Sequence, residues 1–534
     1  MTSDYFHQTY ADDRYDPSWR HINGETLTDS LTLSADVVII GSGAGGGVTA
    51  EILAEAGLSV LIIEEGPLKT AKDFRMREDE AYAQLYQEAA ARKTKDKAIN
   101  ILQGRSVGGS TTVNWTSSFR TPKPTREYWQ HEFGTTGVDD AVMQPWFERA
   151  EARFGIAPWP VAPNANNAAL RDGAARMGWH AEVIPRNVRG CANLGYCGTG
   201  CPMNAKQSML ITTIPHALAL GATLVSRVRI ETLNWQGSRV QSATGTAMDA
   251  FGQHRDGVRV NVTGKHFVLS GGAINTPALL LRSQLPDPNR LIGARTFLHP
   301  VVISVALMPT PVHADAGAPQ SIYSDEFVWK HGVSERCGYK LEVPPVHPLI
   351  GSTILLRHGL EHAGFMRELP RVQATLALIR DGFHPQSVGG RVELDAHGDA
   401  LLDYPVTGYL LDGMHDAYLR MAELQFAAGA EQVLPLHKDA TPYRALAQAK
   451  TAIAGLAKDP LRTQMVSAHV MGGCAFGEDA AKTVCDSHGR LRGFDNLSVH
   501  DGSLFPTSLG VNPQLSIYGL VMKLATELAG ELTH

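Results

Sequence analysis

The sequence predicts an α/β protein with a Rossmann-like domain and a second, α+β domain built on a largely antiparallel sheet. Two glycine-rich junctions, one after Ile40 and one after Ser270, predict buried strands that run directly into helices. Between residues 301 and 464 such junctions are absent, and short strand-like segments of alternating pattern appear instead. That alternation is typical of strands with one buried face.

The first βαβ unit spans residues 35–66. Its first strand, Val37 to Ile40, is a continuous apolar run of the kind that is buried on both faces of a parallel sheet. The strand ends in a G-x-G-x-x-G pattern, whose glycines are Gly41, Gly43 and Gly46. In order, these allow a tight turn, the approach of a pyrophosphate, and close packing of helix on strand. A second strand ends at Glu64, where a carboxylate can accept from ribose hydroxyls. The unit predicts a dinucleotide site without specifying the dinucleotide.

Composition and length narrow the class of protein. The 534 residues predict at least two domains, and 48 basic against 54 acidic side chains give a net charge of −6. This balance and the absence of a nucleic-acid motif give no reason to expect a nucleic-acid partner. Residues 1–30 lack the features of a secretory signal, and no run approaches the ~18 apolar residues of a transmembrane helix. We therefore expect a cytoplasmic protein, with peripheral membrane association or export with a signal-bearing partner subunit left open.

A second glycine-bearing stretch, GRSVGGSTTVN, spans residues 104–114. Paired glycines followed by short hydroxyl side chains let the backbone approach a flat or anionic ligand closely. This stretch resembles the first signature of the glucose-methanol-choline (GMC) oxidoreductase family, and the resemblance continues nearly to the C-terminus. In that family the loop lies against FAD. The resemblance therefore assigns five residues of the loop to cofactor binding: Arg105, Gly108, Gly109, Ser110 and Asn114.

The same resemblance bears on how FAD is held. Val113 stands where some members carry a histidine that bonds covalently to the flavin. Valine cannot form that bond, so we expect non-covalent FAD. The resemblance also places Val228 against the adenine, and the strand that enters a helix at Gly271 matches the second signature of the family.

Three of the six cysteines, Cys191, Cys197 and Cys201, lie in one glycine-rich loop. Thiolates at this spacing could ligate a metal or an iron-sulfur cluster, as some multi-subunit members of the family do. Long-chain alcohol oxidase-like members show a similar Cys-x-x-x-Cys without a cluster. We therefore expect no metal and favour structural or free thiols, with a cluster or a disulfide as the alternatives.

The domain boundaries follow from these patterns. We predict a discontinuous FAD-binding domain at residues 34–300 and 465–534, a substrate domain at 301–464, and an extended leader at 1–33. Within the substrate domain, strands are predicted at 301–305, 327–329 and 339–343, and a helix at 372–380. This region resembles long-chain alcohol oxidases. His299 and His347, each followed by proline, are predicted to be structural.

The C-terminal segment carries residues suited to alcohol oxidation. Removing the hydroxyl proton while hydride leaves requires a base of near-neutral pKa, and a hydrogen-bonding neighbour can hold the alkoxide. The candidates are His469, in the sequence SAHVMGGC, and Asn512, in the sequence DGSLFPTSLGVNP.

Both motifs resemble those of cholesterol oxidases and long-chain alcohol oxidases, in which the histidine and the asparagine before proline form the catalytic pair. By the same resemblance Asp501 and Gly502 contact the ribityl-pyrophosphate part of FAD, and the backbone near Pro513 contacts the flavin ring. Strand alternation predicts that the neighbouring His500 points away from the cofactor.

Together these features predict an FAD-dependent enzyme that oxidises the CH–OH group of an apolar aliphatic or aromatic alcohol, with hydride transfer to flavin N5 and His469 as base. The electron acceptor is O2, a quinone or a partner protein. A non-redox reaction on the same fold, such as elimination or light-driven decarboxylation, is the alternative.

Overall fold

The computed structural model of the chain describes residues 15–533. Residues 1–14 of the predicted leader lie outside them. The strands, in chain order, are β1 Arg20–Asn23, β2 Leu31–Ile40, β3 Val60–Ile63, β4 Ile99–Ile101, β5 Ile156–Pro158, β6 Glu182–Val183, β7 Pro185–Asn187, β8 Thr223–Ser226, β9 Val228–Gln236, β10 Arg239–Met248, β11 His254–Leu269, β12 Ala294–Phe297, β13 Val301–Leu307, β14 Ile322–Phe327, β15 Tyr339–Glu342, β16 Val372–Ile379, β17 Gly390–Leu394, β18 Ala400–Asp403, β19 Gln432–Pro435, β20 Met465–Ser467, β21 Met471–Gly472 and β22 Leu497–Val499.

The α-helices are α1 Ala44–Glu55, α2 Glu78–Leu85, α3 Lys123–Phe133, α4 Asp140–Phe154, α5 Ala165–Met177, α6 Thr213–Ala219, α7 Gly272–Arg282, α8 Pro348–Ile354, α9 Gly359–Arg367, α10 Gly408–Ala427, α11 Leu446–Ala454 and α12 Gln514–Thr533. Within residues 15–533, none of these helices combines the length and the apolar composition needed to cross a lipid bilayer.

The first sheet has the order β1-β8-β3-β2-β11-β10-β9, and β22 pairs with the far end of β11. Strands β1, β8, β3, β2 and β11 are parallel to one another, and β22 is parallel to β11. Strands β10 and β9 extend the sheet beyond β11 as antiparallel neighbours. The predicted apolar run forms the end of β2 and is buried between β3 and β11. The α/β prediction is confirmed, and β22 brings the C-terminal segment back to the first βαβ unit.

Close backbone packing holds α1 on this sheet. A Cβ atom on Gly46 would lie 2.0 Å from the carbonyl oxygen of Gly41, and one on Gly45 would lie 1.6 Å from that of His500. Contacts this short exclude any side chain at either position. The start of α1 therefore lies directly against both the turn after β2 and the segment that follows β22.

The second sheet has the order β4-β20-β13-β16-β15-β14-β6, with β19 also paired to β13. Its neighbours are antiparallel except for β4 and β20, and α10 packs against its central strands. A smaller antiparallel sheet has the order β18-β17-β12-β21. The second, α+β architecture is thus confirmed. Three strands of the second sheet, β4, β6 and β20, come from segments predicted for the FAD-binding domain, and the boundaries themselves stay a prediction.

Two local predictions in this region were wrong. The helix predicted at 372–380 is instead strand β16, Val372–Ile379, and every residue of β16 is buried. A short apolar run buried on both faces has the same composition as a core helix, so periodicity could not separate the two. Of the strand predicted at 327–329, only Phe327 belongs to a strand, because β14 ends at that residue. The 20-residue helix α10 was not predicted.

Replacing Gly45 by alanine tests the packing of α1. We expect Gly45→Ala to lower the free energy of unfolding by about 3 kcal/mol or more, because the helix must move off the His500 carbonyl. Urea unfolding of the apoprotein measures the change. The control is Gly364→Ala in exposed helix α9, where no atom lies within 4 Å of the added Cβ, and it should be neutral or slightly stabilising. Equal stability of the two variants would contradict the packing argument.

Candidate active site

A cavity of about 1450 Å³ lies between the first βαβ unit, the loop at residues 104–114 and the C-terminal segment. Both predicted catalytic residues, His469 and Asn512, line it. The predicted cofactor-binding residues that line it are Gly41, Gly43, Glu64, Arg105, Gly109, Ser110, Asn114, Val228, Asp501, Gly502 and Pro513. The other two, Gly46 and Gly108, lie behind the wall, where Gly46 packs on Gly41 and the Gly108 N–H donates to Ser42 Oγ at 3.0 Å.

The cavity wall at the start of α1 is made of backbone. No atom comes within 3.4 Å of a Cβ built on Gly43, whereas one built on Gly109 would lie 2.7 Å from Gly43 Cα. The two glycine turns therefore meet without side chains between them. Gly43 caps α1 without a side-chain hydrogen bond, so the first N–H groups of the helix are available to an anion. This is the surface that the pyrophosphate of a dinucleotide requires.

Two buried carboxylates shape the cavity from within the fold. Glu64 accepts from the Ser42 N–H at 3.0 Å, the Ser42 hydroxyl at 2.6 Å and the Gly66 N–H at 2.8 Å. A ribose hydroxyl that donates to Glu64 would have to use the remaining lone pairs of the carboxylate. Asp501 accepts from the Gly272 N–H at 2.8 Å and from the Thr276 hydroxyl at 2.6 Å, which ties it to the start of α7. Burial raises the pKa of both carboxyls, and these hydrogen bonds oppose the shift.

Arg105 carries a buried polar atom that the protein itself does not satisfy. Its Nε has no hydrogen-bond partner among the described residues, and its guanidinium lies 3.8 Å from the Glu65 carboxylate. A buried unpaired donor is unfavourable unless a ligand accepts from it. Together with the glycine surface, this donor fits a bound dinucleotide with polar and anionic groups.

The loop at residues 104–114 is fixed by its neighbours. Ser110 Oγ accepts from the Gly104 N–H at 2.9 Å, and Asn114 Nδ2 donates to Gln514 Oε1 at 2.7 Å. The ammonium of buried Lys206 donates to the carbonyls of Thr112 and Asn114 at 2.6 and 2.9 Å. Val113 is buried and 5% exposed. Lys206 and Gln514 were not identified from the sequence as parts of the site, although Gln514 directly follows Pro513.

His469 lies in the turn between β20 and β21. Its Nδ1 is 3.3 Å from Nδ1 of His299, and its Nε2 has no partner among the described residues. Burial, together with the positive charge of Lys340, lowers the pKa of His469 to about 3, so the ring is neutral at physiological pH. A neutral imidazole at the cavity wall can exchange a proton with a bound hydroxyl.

Asn512 lies opposite β15 of the second sheet. Its Oδ1 accepts from Lys340 Nζ at 3.2 Å, and its Nδ2 donates to Glu342 at 3.2 Å. Neither charged residue was singled out in the sequence. The tetrapeptide Tyr-Lys-Leu-Glu has the alternation of a half-exposed strand, and nothing in it signals that the charged side chains face the protein interior.

The remaining histidines near the motifs differ in placement. His299, which was expected to be structural, contacts His469, and its Nε2 accepts from the Gly510 N–H at 3.0 Å. His347 is buried and stacks on Tyr196, with ring centroids 4.2 Å apart, outside the cavity lining. His500 is fully buried, its Nδ1 lies 2.9 Å from Thr49 Oγ1, and it points away from the cavity as strand alternation predicted.

All six cysteines lie within the described residues and all are free, so the disulfide alternative was wrong. The three thiols of the loop at residues 191–201 do not converge as a group of metal ligands. Within residues 15–533 such a group is formed by Glu51, Glu55 and His216. Glu51 is already paired with Arg153, so this group is an ion-pair cluster.

The fold and the cavity define a dinucleotide-binding protein whose ligand cavity is also lined by His469 and Asn512. The family model described as GMC oxidoreductase matches residues 82–301 with its N-terminal part and residues 385–520 with its C-terminal part. The chain belongs to the GMC oxidoreductase family, and its cofactor is FAD.

Relatives agree with this assignment. An uncharacterized GMC-type oxidoreductase of Mycobacterium tuberculosis is 32% identical over 501 residues, which cover 93% of this chain and 76% of that protein. A long-chain-alcohol oxidase of Arabidopsis thaliana is 27% identical over 552 residues, 96% of this chain and 72% of that protein.

Solved structures show the same fold. Pyridoxine 4-oxidase from Mesorbium loti aligns with a TM-score of 0.68 at 18% identity, over 92% of this chain and 98% of that one. A formate oxidase variant of Aspergillus oryzae aligns with a TM-score of 0.69 at 16% identity, over 95% of this chain and 99% of that one.

The buried His500 predicts a pH dependence of stability. Burial holds the pKa of His500 well below 6.5, so below that pH the unfolded chain binds a proton that the folded chain excludes. The free energy of unfolding therefore falls as the pH falls below about 6.5, approaching a slope of about 1.4 kcal/mol per pH unit for this group. Urea unfolding of the apoprotein from pH 7.5 to 5 measures the slope.

The variant His500→Asn removes the titrating group and should show a smaller slope. The control is His131→Asn, because the His131 side chain is 85% exposed and its replacement should leave the slope unchanged. An unchanged slope in His500→Asn would contradict the assignment.

Proposed function

We propose that the chain oxidises the CH–OH group of an apolar aliphatic or aromatic alcohol, with His469 and Asn512 flanking the hydroxyl. The observation that carries this proposal is that both side chains line the same cavity as the glycine surface. FAD, when bound, supplies the hydride acceptor. All other steps belong to side chains of this chain.

His469 takes the hydroxyl proton. Burial lowers its pKa to about 3, so the ring is neutral over the whole physiological range but is a weaker base than the near-neutral group expected from the sequence. This role requires the tautomer of His469 that has its free lone pair on Nε2. Asn512 donates from its side-chain amide to the same oxygen and stabilises the negative charge that develops there.

One contact favours a second role for His469. The Gly510 amide can only donate, so Nε2 of His299 is an acceptor and the proton of neutral His299 lies on Nδ1. That proton faces Nδ1 of His469 and favours the tautomer in which His469 carries its own proton on Nε2. In this tautomer His469 donates to the alcohol oxygen instead of taking its proton.

The substrate class rests on similarity and on the cavity wall. Long-chain-alcohol oxidases of Arabidopsis thaliana align with nearly the whole chain, and the apolar side chains of Trp115 and Val470 line the cavity along with His469 and Asn512. Apolar side chains beside the two proposed reacting groups suit an aliphatic or aromatic alcohol better than a sugar. The electron acceptor is O2, a quinone or a partner protein, and peroxide released under air would identify O2.

Substitution of His469 tests the assignment. Anaerobic flavin bleaching is first screened over primary alcohols, sterols and sugars, and the best substrate is then mixed with the variants. We expect His469→Ala to slow flavin reduction by about 10²- to 10⁴-fold with FAD retained. His469→Gln keeps an N–H donor but removes the base. A reduction rate close to that of the parent enzyme would therefore support the donor role of His469, whereas a fall in rate as large as in His469→Ala would support the base role.

The control is the exposed His131→Ala, which should not affect reduction. An unchanged rate in His469→Ala would overturn the role of this residue. Conversion of a substrate without bleaching would favour the alternative of a non-redox reaction.

The attachment of FAD is tested by acid precipitation. By the resemblance to the family, Val113 stands where some members carry a flavin-linked histidine. Because valine offers no nucleophile there, we expect all yellow colour to remain in the supernatant. Absorbance of the supernatant and the pellet at the flavin bands measures the distribution. Flavin that stays with the washed pellet would show a covalent bond and contradict the proposal.

A further inference from the structure

A buried ion pair lies behind one of the two residues at the reacting end of the cavity. Lys340 and Glu342 are two residues apart on β15, so their side chains point to the same face of the sheet. The Lys340 side chain is 1% exposed and that of Glu342 0%, and Nζ lies 3.0 Å from Glu342 Oε1. Neither residue lines the cavity.

Both charged groups bind the same carboxamide. Lys340 Nζ donates to Asn512 Oδ1, and Asn512 Nδ2 donates to Glu342 Oε2, each at 3.2 Å. An ammonium has only donors and a carboxylate only acceptors, so the amide cannot rotate by 180° without facing two repulsive contacts. The orientation of Asn512 is therefore determined by charge.

The second N–H of Asn512 has no partner among the described residues, and Asn512 itself lines the cavity. A cation at the amide oxygen and an anion at the amide nitrogen also polarise the group, which strengthens its free N–H as a donor. Such a fixed, polarised donor is suited to a developing alkoxide.

We propose that Lys340 and Glu342 are positioning residues that fix and polarise the carboxamide of Asn512 so that its free N–H stabilises the alkoxide. The proposal rests on the proposed oxidation of an alcohol at this cavity. It adds two residues of the second sheet to a site whose other groups come from the glycine loops and the C-terminal segment.

The surroundings argue against a purely structural pair. The rings of Phe119 and Tyr323 cover Lys340 Nζ, which lies 3.0 and 4.4 Å from the two ring centroids. Removing two charges from water is costly, and replacement of such pairs by apolar residues is often neutral or stabilising. The contacts to Asn512 give these charges a function that apolar residues could not supply.

The pair also predicts a pH profile. Burial lowers the pKa of Lys340 to about 8, and loss of its proton would free Asn512 Oδ1. The charged and titratable groups that face Lys340 are Glu342, Asp325, Tyr323, His299 and His469. We expect the rate constant of anaerobic flavin reduction to fall above about pH 8 in the parent enzyme.

The test uses a paired neutral variant, since removal of one partner alone leaves an uncompensated buried charge that could unfold the protein. In Lys340→Met/Glu342→Gln the glutamine can still accept from Asn512, but nothing holds Oδ1. We expect the rate constant of flavin reduction to fall about 10- to 100-fold and substrate affinity to change much less. The decrease of the rate constant above about pH 8 should disappear. FAD content is measured in every variant.

A second background shows whether the pair acts through Asn512. In Asn512→Ala, we expect the paired change to alter the rate constant less than about twofold, because its target is already absent. The matched control is Lys330→Met/Glu326→Gln, a partly exposed pair whose glutamate lies on β14 of the same sheet and whose lysine follows that strand, and it should change nothing. Equal losses in both backgrounds would overturn the proposal.

A crystal structure of the paired variant gives a readout that does not depend on turnover. The Asn512 side chain should be displaced or occupy more than one conformer, whereas it should be unchanged in the control variant. An unmoved carboxamide would overturn the proposal. If no alcohol reduces the flavin of the parent enzyme, the proposed function fails, and the crystal structure still tests the positioning of Asn512.

Discussion

The contact between the start of α1 and the carbonyl oxygen of His500 is the constraint on which the rest of the site depends. A Cβ at Gly45 would come within 1.6 Å of that oxygen, so the two backbones touch with no side chain between them. The contact joins residues more than 450 positions apart. Because β22 is also held by β11, the segment that carries Asp501 and Asn512 has little freedom relative to the cofactor surface. One packing contact thus places the cofactor end and the reacting end in a fixed relation.

Charge at the reacting end is controlled by burial. His299 and His469 are neutral because the protein around them disfavours imidazolium, and the cation of Lys340 adds to the effect. The same cation is held by Glu342 and covered by aromatic rings. Strand β15 of the second sheet therefore sets the electrostatic environment of His469 and Asn512, the two residues proposed to face the hydroxyl.

The parts of the fold that could be predicted are those with a strong local signature. The glycine pattern after β2 identified the first βαβ unit, because close backbone approach admits only glycine. The same logic found the loop at residues 104–114. By contrast, β16 was mistaken for a helix, since a strand buried on both faces loses its alternation, and its neighbours β13 and β15 are far away in sequence. The contact of His299 with His469 was not predicted, because it joins residues 170 positions apart.

The sequence alone determined the βαβ unit, the glycine loops and the two motifs with His469 and Asn512, since each depends on residue types at fixed spacing within a short segment. Only the tertiary structure showed that Lys340 and Glu342 lie behind Asn512, that Gln514 and Lys206 hold the loop at residues 104–114, and that the cysteines form no disulfide. The reason is physical. Steric demands of a turn are encoded in neighbouring residues, whereas burial of a charge depends on which distant strands and loops pack over it, and no local pattern records that.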